Sequence, residues 1–271
     1  MLLLVSFIYT DNVFKEARKT DPVMTSIINY KEKQDMKAKE PTILGDEMIL
    51  GVTGLIVDEK KSYKNMKEEN IFDEDKLVYE ITKPKINLSN TYDYYIKKGN
   101  TSSKKMALII KVNEDINVSK IIDILKDNNI SIAFFVDGSW LEKNTNDAFE
   151  INRLGCEIYN LGYKGKYTKN KIEVTNNLIQ SITLKNSLFC LNENKIDEEK
   201  EICKNKKMHT IIPSVSNPSI SELKKYIEKG NIIVYDIDTF NYDNFNLIIN
   251  TITSRGYVID KLSRIISEDN N

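Results

Sequence analysis

Between residues 106 and 252, short continuous apolar runs alternate with apolar stripes at helical spacing. Met106-Ala107-Leu108-Ile109-Ile110 has no polar interruption, as expected of a strand covered on both faces. Val118, Ile121, Ile122 and Leu125 then recur with the period of a helix. The alternation continues with strands expected over 130–136, 156–161, 208–212 and 232–237. Between and after them lie helical stripes: Ala148, Phe149, Ile151 and Leu154; Leu178, Ile179 and Ile182; Ile220, Leu223 and Ile227; Phe245, Leu247, Ile248 and Ile252. Gly155, Gly230 and Gly256 stand where three of these helices would end. A repeated βα order predicts an α/β fold built on a largely parallel sheet or barrel. Neither a P-loop nor a dinucleotide-binding glycine motif occurs, so nucleotide binding has no motif behind it.

The preceding chain has a different grain. Ile43-Leu44, Met48-Ile49-Leu50 and Leu55-Ile56-Val57 are short apolar runs separated by Gly45-Asp46 and Gly51-Val52-Thr53-Gly54, which read as strands and turns. Asp58 is placed to cap a helix running to Lys67, with Tyr63 and Met66 on one side. Residues 77–81 alternate as a further strand before Lys83-Pro84 breaks it. The sequence therefore divides into an N-terminal stub and stalk (1–40), a small α+β accessory segment (41–103) and the α/β domain (104–271). In the stub, Leu2-Leu3-Leu4-Val5-Ser6-Phe7-Ile8-Tyr9 is too short for a membrane span of about 20 residues. It is either a short buried element or the end of a signal-anchor that starts upstream of Met1. The polar, charge-mixed residues 15–39, with little core-forming periodicity, read as a stalk and favour the anchor.

Composition narrows the chemistry. One histidine in 271 residues excludes any metal site needing two imidazoles from one chain. A net charge of −1 argues against a nucleic-acid binder, which needs clustered Lys and Arg for phosphate contacts. Cys156, Cys190 and Cys203 are odd in number and lack CxxC spacing, so they read as buried or incidental thiols. A single disulfide remains open for an exported chain, with its pairing undetermined.

Several of these segments together resemble one family. They are Lys105-Met106-Ala107-Leu108-Ile109-Ile110, Ile121-Ile122-Asp123-Ile124-Leu125-Lys126 and Ile130-Ser131-Ile132-Ala133-Phe134-Phe135-Val136-Asp137-Gly138-Ser139-Trp140. Leu154-Gly155-Cys156-Glu157-Ile158-Tyr159-Asn160-Leu161-Gly162-Tyr163, Gly230-Asn231-Ile232-Ile233-Val234-Tyr235-Asp236 and Ser254-Arg255-Gly256-Tyr257 complete the set. Over about residues 104–268 the chain resembles the polysaccharide deacetylase (NodB-homology) family. The resemblance implies a distorted (β/α) barrel with its site at the C-terminal ends of the strands, preceded here by the small α+β accessory segment. That segment, with Gly51-Val52-Thr53-Gly54-Leu55-Ile56-Val57-Asp58 and Lys61-Ser62-Tyr63, resembles the accessory part of relatives from endospore-forming bacteria.

The resemblance implies a divalent metal such as zinc, held by one Asp and two His, that activates water. It also implies an Asp base, an Arg that positions the base and a His acid. This sequence departs from that pattern throughout. Lys111 falls on the base and Val112 on the metal Asp. Leu161 and Gly165 fall on the two metal histidines, Cys190 on the Arg and Asp236 on the acid His. No metal or other cofactor is therefore expected. The expected function is a catalytically inactive deacetylase-family module on the extracytoplasmic side of the cell envelope. It would bind cell-wall polysaccharide or an envelope protein, with sporulation as the setting by analogy. It would not bind nucleic acid, and would meet a membrane only through the N-terminal anchor. The alternatives are an active hydrolase removing N-acetyl groups with a rebuilt site, and a purely structural interaction module.

Individual residues carry further expectations. Trp140, Tyr163 and Tyr167 follow strands and are candidates to stack on sugars at a barrel mouth. Asp236 and Asp238 alternate onto one face, where Asp236 and Lys111 are expected to form a compensating ion pair. Cys190 as a nucleophile lacks an assignable base. His209 lies outside every catalytic position and reads as a half-buried strand-end residue. Glu114-Asp115 is placed in the first βα loop or at the cap of its helix. Lys164, Lys166, Lys169 and Lys171 form either a solvated face or a contact for anionic envelope polymers.

Overall fold

The structure, a computed structural model, describes residues 20–113, 116–239 and 242–269, with only the backbone of Thr239. The apolar run at 2–9, Glu114 and Asp115 lie outside them. The first part contains helix α1 (Pro22–Gln34), strands β1 (Thr42–Leu44), β2 (Glu47–Ile49) and β3 (Gly54–Val57), helix α2 (Glu59–Met66), and strands β4 (Tyr79–Thr82) and β5 (Tyr95–Lys98). Residues expected to be stalk thus include a 13-residue helix. Asp21 caps α1 by accepting from the amides of Val23 and Met24. Its buried residues, Val23, Met24 and Ile27, crowd into the first two turns, which explains the weak periodicity overall.

The described residues form two compact units: 20–39 with Thr53–Lys85, and Glu40–Val52 with Ile86–Asp269. These boundaries differ from those drawn at 41 and 103. Residues 40–52 and 86–103 fall with the barrel because β1, β2 and β5 hydrogen bond into its sheet. In the smaller unit, α1 and α2 pack around Val23, Ile27, Val57 and Met66, beside the antiparallel β3–β4 pair. Asp58 caps α2 through the Lys61 amide, and Tyr63 and Met66 share its packed side.

The larger unit continues as β6 (Lys105–Val112), α3 (Ser119–Asn128), β7 (Ala133–Val136), α4 (Gly138–Lys143), α5 (Thr145–Arg153), β8 (Glu157–Asn160) and α6 (Lys169–Thr183). Then come β9 (Phe189–Leu191), α7 (Asp197–Asn205), β10 (His209–Ile211), β11 (Val215–Ser216), α8 (Ile220–Leu223), β12 (Ile232–Asp236), α9 (Phe245–Thr253), β13 (Val258–Ile259) and α10 (Leu262–Ile265). The strands run β1-β2-β5-β10-β9-β8-β7-β6-β12-β11, parallel except for the β1–β2 hairpin, with β13 beside the start of β6. This is the curled, parallel, distorted (β/α) barrel that the resemblance implies, and it agrees with the largely parallel sheet or barrel that the alternation predicts.

Period-two alternation divides the core into two layers. Ala107, Ile109, Ala133, Phe135, Tyr159, Leu191, Ile232 and Val234 pack on the inner face of the sheet. Met106, Leu108, Ile110, Val112, Phe134, Val136, Ile233 and Tyr235 pack outward under the helices. On β6 the inner series continues to Lys111, and on β12 to Asp236, so the two meet just past the inner core.

Two expected helix ends differ in kind. Gly155 takes φ +74° just after α5, as a helix terminator does. Gly230 (φ +74°) is instead needed for close approach, since a Cβ there would lie 2.7 Å from the Gly99 carbonyl oxygen. The stripe Ile220, Leu223 and Ile227 is helical only over α8, although Ile227 is also buried. The reading of the cysteines needs correction: Cys190 on β9 and Cys203 on α7 form a disulfide, while Cys156 is a buried free thiol. The bond spans 13 residues, for which loop closure contributes about 3 kcal/mol. The Cys190→Ala/Cys203→Ala double variant is expected to lose about that much stability in urea unfolding. A loss under about 1 kcal/mol would show that the bond does little to hold the fold.

Candidate functional site

β6 and β12 are register partners, with Lys111 opposite Asp236. Neighbours in register on parallel strands point the same way, so these two side chains meet at the C-terminal end of the sheet. Lys111 Nζ lies 3.2 Å from Asp236 Oδ2 and 2.6 Å from Glu193 Oε2. Glu193 follows β9 by two residues and so continues the inner series from Leu191. Its other oxygen accepts from Ser216 Oγ on β11. The Asp236 amide donates to Asn217 Oδ1 at 2.7 Å. Asn113 bridges the carboxylates of Asp238 (2.7 Å) and Asp236 (3.4 Å).

Exposures of 18% for Lys111, 23% for Glu193 and 20% for Asp236 put the cluster largely out of water. Burial pulls the ammonium's pKa down, but Glu193 and Asp236 outweigh it and hold Lys111 above its ordinary value. The cation is therefore fully charged and shared by two carboxylates, one at the end of β12 and one in the turn after β9. Glu193 is the member that sequence reasoning missed. It lies in the Cys190-Leu191-Asn192-Glu193-Asn194 stretch, and only the curl of the sheet brings it opposite Lys111.

The other expected positions do not join this cluster. Val112 points to the opposite face of β6, fully buried beneath the helices. Leu161 packs against the inner apolar layer. Gly165 (φ +63°) sits in a tight turn. None of the three has a side-chain donor atom for a metal. Cys190 is consumed in the disulfide and is no nucleophile.

The aromatic candidates also require correction. Trp140 is fully buried in the outer core, and its indole N–H donates to the Ile116 carbonyl at 2.7 Å. It follows β7 but lies in α4, which carries it beneath the layer instead of onto the mouth. Tyr167 packs with Ile172, Met208 and the disulfide, its hydroxyl bonded to the Asn160 carbonyl at 2.6 Å. Burial pushes that hydroxyl's pKa far up. Tyr163 is half-exposed, bonded to Glu142 at 2.7 Å, with Lys164 and Lys171 about its ring at 5.8 and 6.0 Å from the centroid. His209 is half-buried and stacks on Tyr92 at 4.4 Å, as its position at a strand end suggested.

With the geometry in view, the chain can be set beside known proteins that it resembles. The polysaccharide deacetylase family model matches residues 98–208. Over 283 aligned residues the chain is 27% identical to the uncharacterized protein YlxY of Bacillus subtilis, covering 95% of this chain and 87% of that one. In structure it is similar to BA3943 of Bacillus anthracis, a CE4 family pseudoenzyme, with a TM-score of 0.69 and 20% identity. That match covers 93% of this chain and 97% of the other. PdaA of Bacillus subtilis, a family 4 carbohydrate esterase, matches with a TM-score of 0.57 and 17% identity over 66% of this chain and 86% of its own.

Two outcomes follow. Lys111→Asp would place three carboxylates together and is expected to cost about 2 kcal/mol in urea unfolding, less than the ~3–5 of a fully buried pair. Because the folded pKa of Lys111 is raised, the wild-type triad's contribution is fully present below about 10.5 and is lost as pH rises through the higher folded value. An unchanged unfolding midpoint in Lys111→Asp would contradict this role. For His209, burial lowers the pKa from 6.5 to about 4, so the unfolded chain takes up the proton first. Its effect is absent above about pH 6.5 and destabilises the fold as pH falls towards 4, by up to about 3 kcal/mol. His209→Phe is expected to flatten the stability profile across that interval; an unaltered slope would assign the acid sensitivity elsewhere.

Proposed function

We propose that this protein is a catalytically inactive NodB-homology module of the bacterial cell envelope that works by binding. The observation that carries this reading is the Lys111–Glu193–Asp236 triad. The residues at the implied metal positions do not fit a metal. Val112, Leu161 and Gly165 offer no donors, and the two carboxylates nearest the mouth already share an ammonium. A divalent ion there would have to displace Lys111 or bear its repulsion. Without metal activation, water stays far too weak an acid to supply hydroxide at neutral pH. Asp236 and Glu193 are engaged by Lys111 and are poor candidates for a general base.

The Cys190–Cys203 bond supports an oxidising, extracytoplasmic location, where such bonds persist. Among the described residues no helix is long and apolar enough to cross a membrane. Among the described residues, Trp140 and Tyr167, two of the three expected aromatic walls of a sugar cleft, are packed inward. This favours recognition of an envelope polymer or protein over the outer surface. Zinc titration by calorimetry, together with a deacetylation assay on chitooligosaccharide and peptidoglycan, tests the reading. We expect no stoichiometric zinc uptake and no acetate release. One bound zinc per chain with acetate release would reverse it.

A further inference from the structure

We propose that the face around the start of α6 is a docking surface for a linear phosphodiester polymer, engaged by Lys164, Lys166, Lys169 and Lys171. These four lysines fall within eight residues that contain no acidic side chain. Elsewhere in the larger unit lysines are commonly matched: Lys97 and Lys195 with Glu47, Lys204 with Asp93, Lys206 with Glu173. None of the four forms an ion pair among the described residues. The acids nearest them are Glu173, which feels Lys169 but is paired with Lys206, and Glu142, which bonds the Tyr163 hydroxyl, so positive charge is in excess on this face although the whole chain carries a net charge of −1.

The turn that carries the first two lysines is held from below. Lys164 and Gly165 adopt φ of +52° and +63°, and Tyr163 and Lys166 bridge across the turn. Asp137, itself 2% exposed, accepts from the amides of Lys164 (3.0 Å) and Gly165 (2.8 Å) and from Ser139. The lysines are thus mounted on a fixed loop, which reduces the ordering cost of binding.

The second pair of lysines begins α6, a 15-residue helix whose N-cap, Thr168, makes no side-chain cap bond and whose first turn has no acid. Its amide ends and dipole add to the positive field. A cavity of about 400 Å³, lined by Lys169, Ile202, Asn205 and Lys206, opens beside it. Ammonium groups act as point charges suited to phosphate, whereas bidentate carboxylate recognition favours Arg, which this face lacks. Tyr163 already has lysines about its ring, and Tyr167 is turned into the core. The segment therefore offers no aromatic platform for bases and no large apolar side chain to insert into a bilayer. A flexible polymer of repeating phosphates, without bases or lipid, fits that chemistry. This inference is independent of the triad at the mouth and holds whether or not the barrel is active.

The test is binding of the intact protein to immobilised poly(glycerol phosphate), with polyglucuronate, a single-stranded RNA and phosphatidylglycerol vesicles as parallel probes. Four phosphate contacts predict a slope of log affinity on log salt near about −3, a loss of roughly fiftyfold between about 50 and about 200 mM salt. Replacing all four lysines by Glu is expected to abolish binding, and replacing all four by Arg to retain most of it. Equal melting midpoints show that both variants are folded. Lys111→Asp is expected to bind normally, which separates this surface from the barrel mouth. No wild-type binding at the lower salt, equal binding by the Glu variant, or tighter binding to polyglucuronate, RNA or vesicles would overturn the proposal.

Discussion

The architecture of the barrel mouth depends on one shared cation. Lys111 closes the inner layer of the sheet by holding Glu193 from the β9 side and Asp236 from the β12 side. Such an arrangement is not primarily a source of net stability, because removing three charges from water offsets much of their attraction. Its effect is positional. Take the ammonium away and two carboxylates face each other with little solvent to separate them. Keep it, and the strands that frame the mouth are tied together by a group that cannot leave. A metal centre would do the same tying, but would also activate water.

Much of this was legible in the sequence. The continuous apolar run of β6 and the stripe of α3 specify their elements without help from the rest of the chain. The inward alternation of β6 and β12 even anticipates the Lys111–Asp236 pair. Glu193 was not legible, because its partner lies 82 positions away and the contact exists only once the sheet curls. The short strand β9 was hidden for a related reason. Its three residues give no period, and its place is fixed by pairing with β8 and β10.

The aromatic residues show the opposite failure. Trp140 and Tyr167 were assigned to the mouth from strand-end position alone. Both immediately enter structure that turns inward, and each polar tip finds a backbone carbonyl there. A ring with a polar handle is satisfied by burial as readily as by a sugar. The same holds for Cys190: placed over a catalytic position, it is spent on a bond to α7 that fixes the segment carrying Glu193. Sequence position thus located the mouth, while packing decided which side chains face it.

The most direct measurement is a double-mutant cycle between Lys111 and Glu193, using Lys111→Met, Glu193→Gln and the double variant in urea unfolding. If the triad holds the mouth as described, the two changes are non-additive, with a coupling energy of about 1–3 kcal/mol. Additivity within about 0.5 kcal/mol would show that the two groups act independently and would contradict the account.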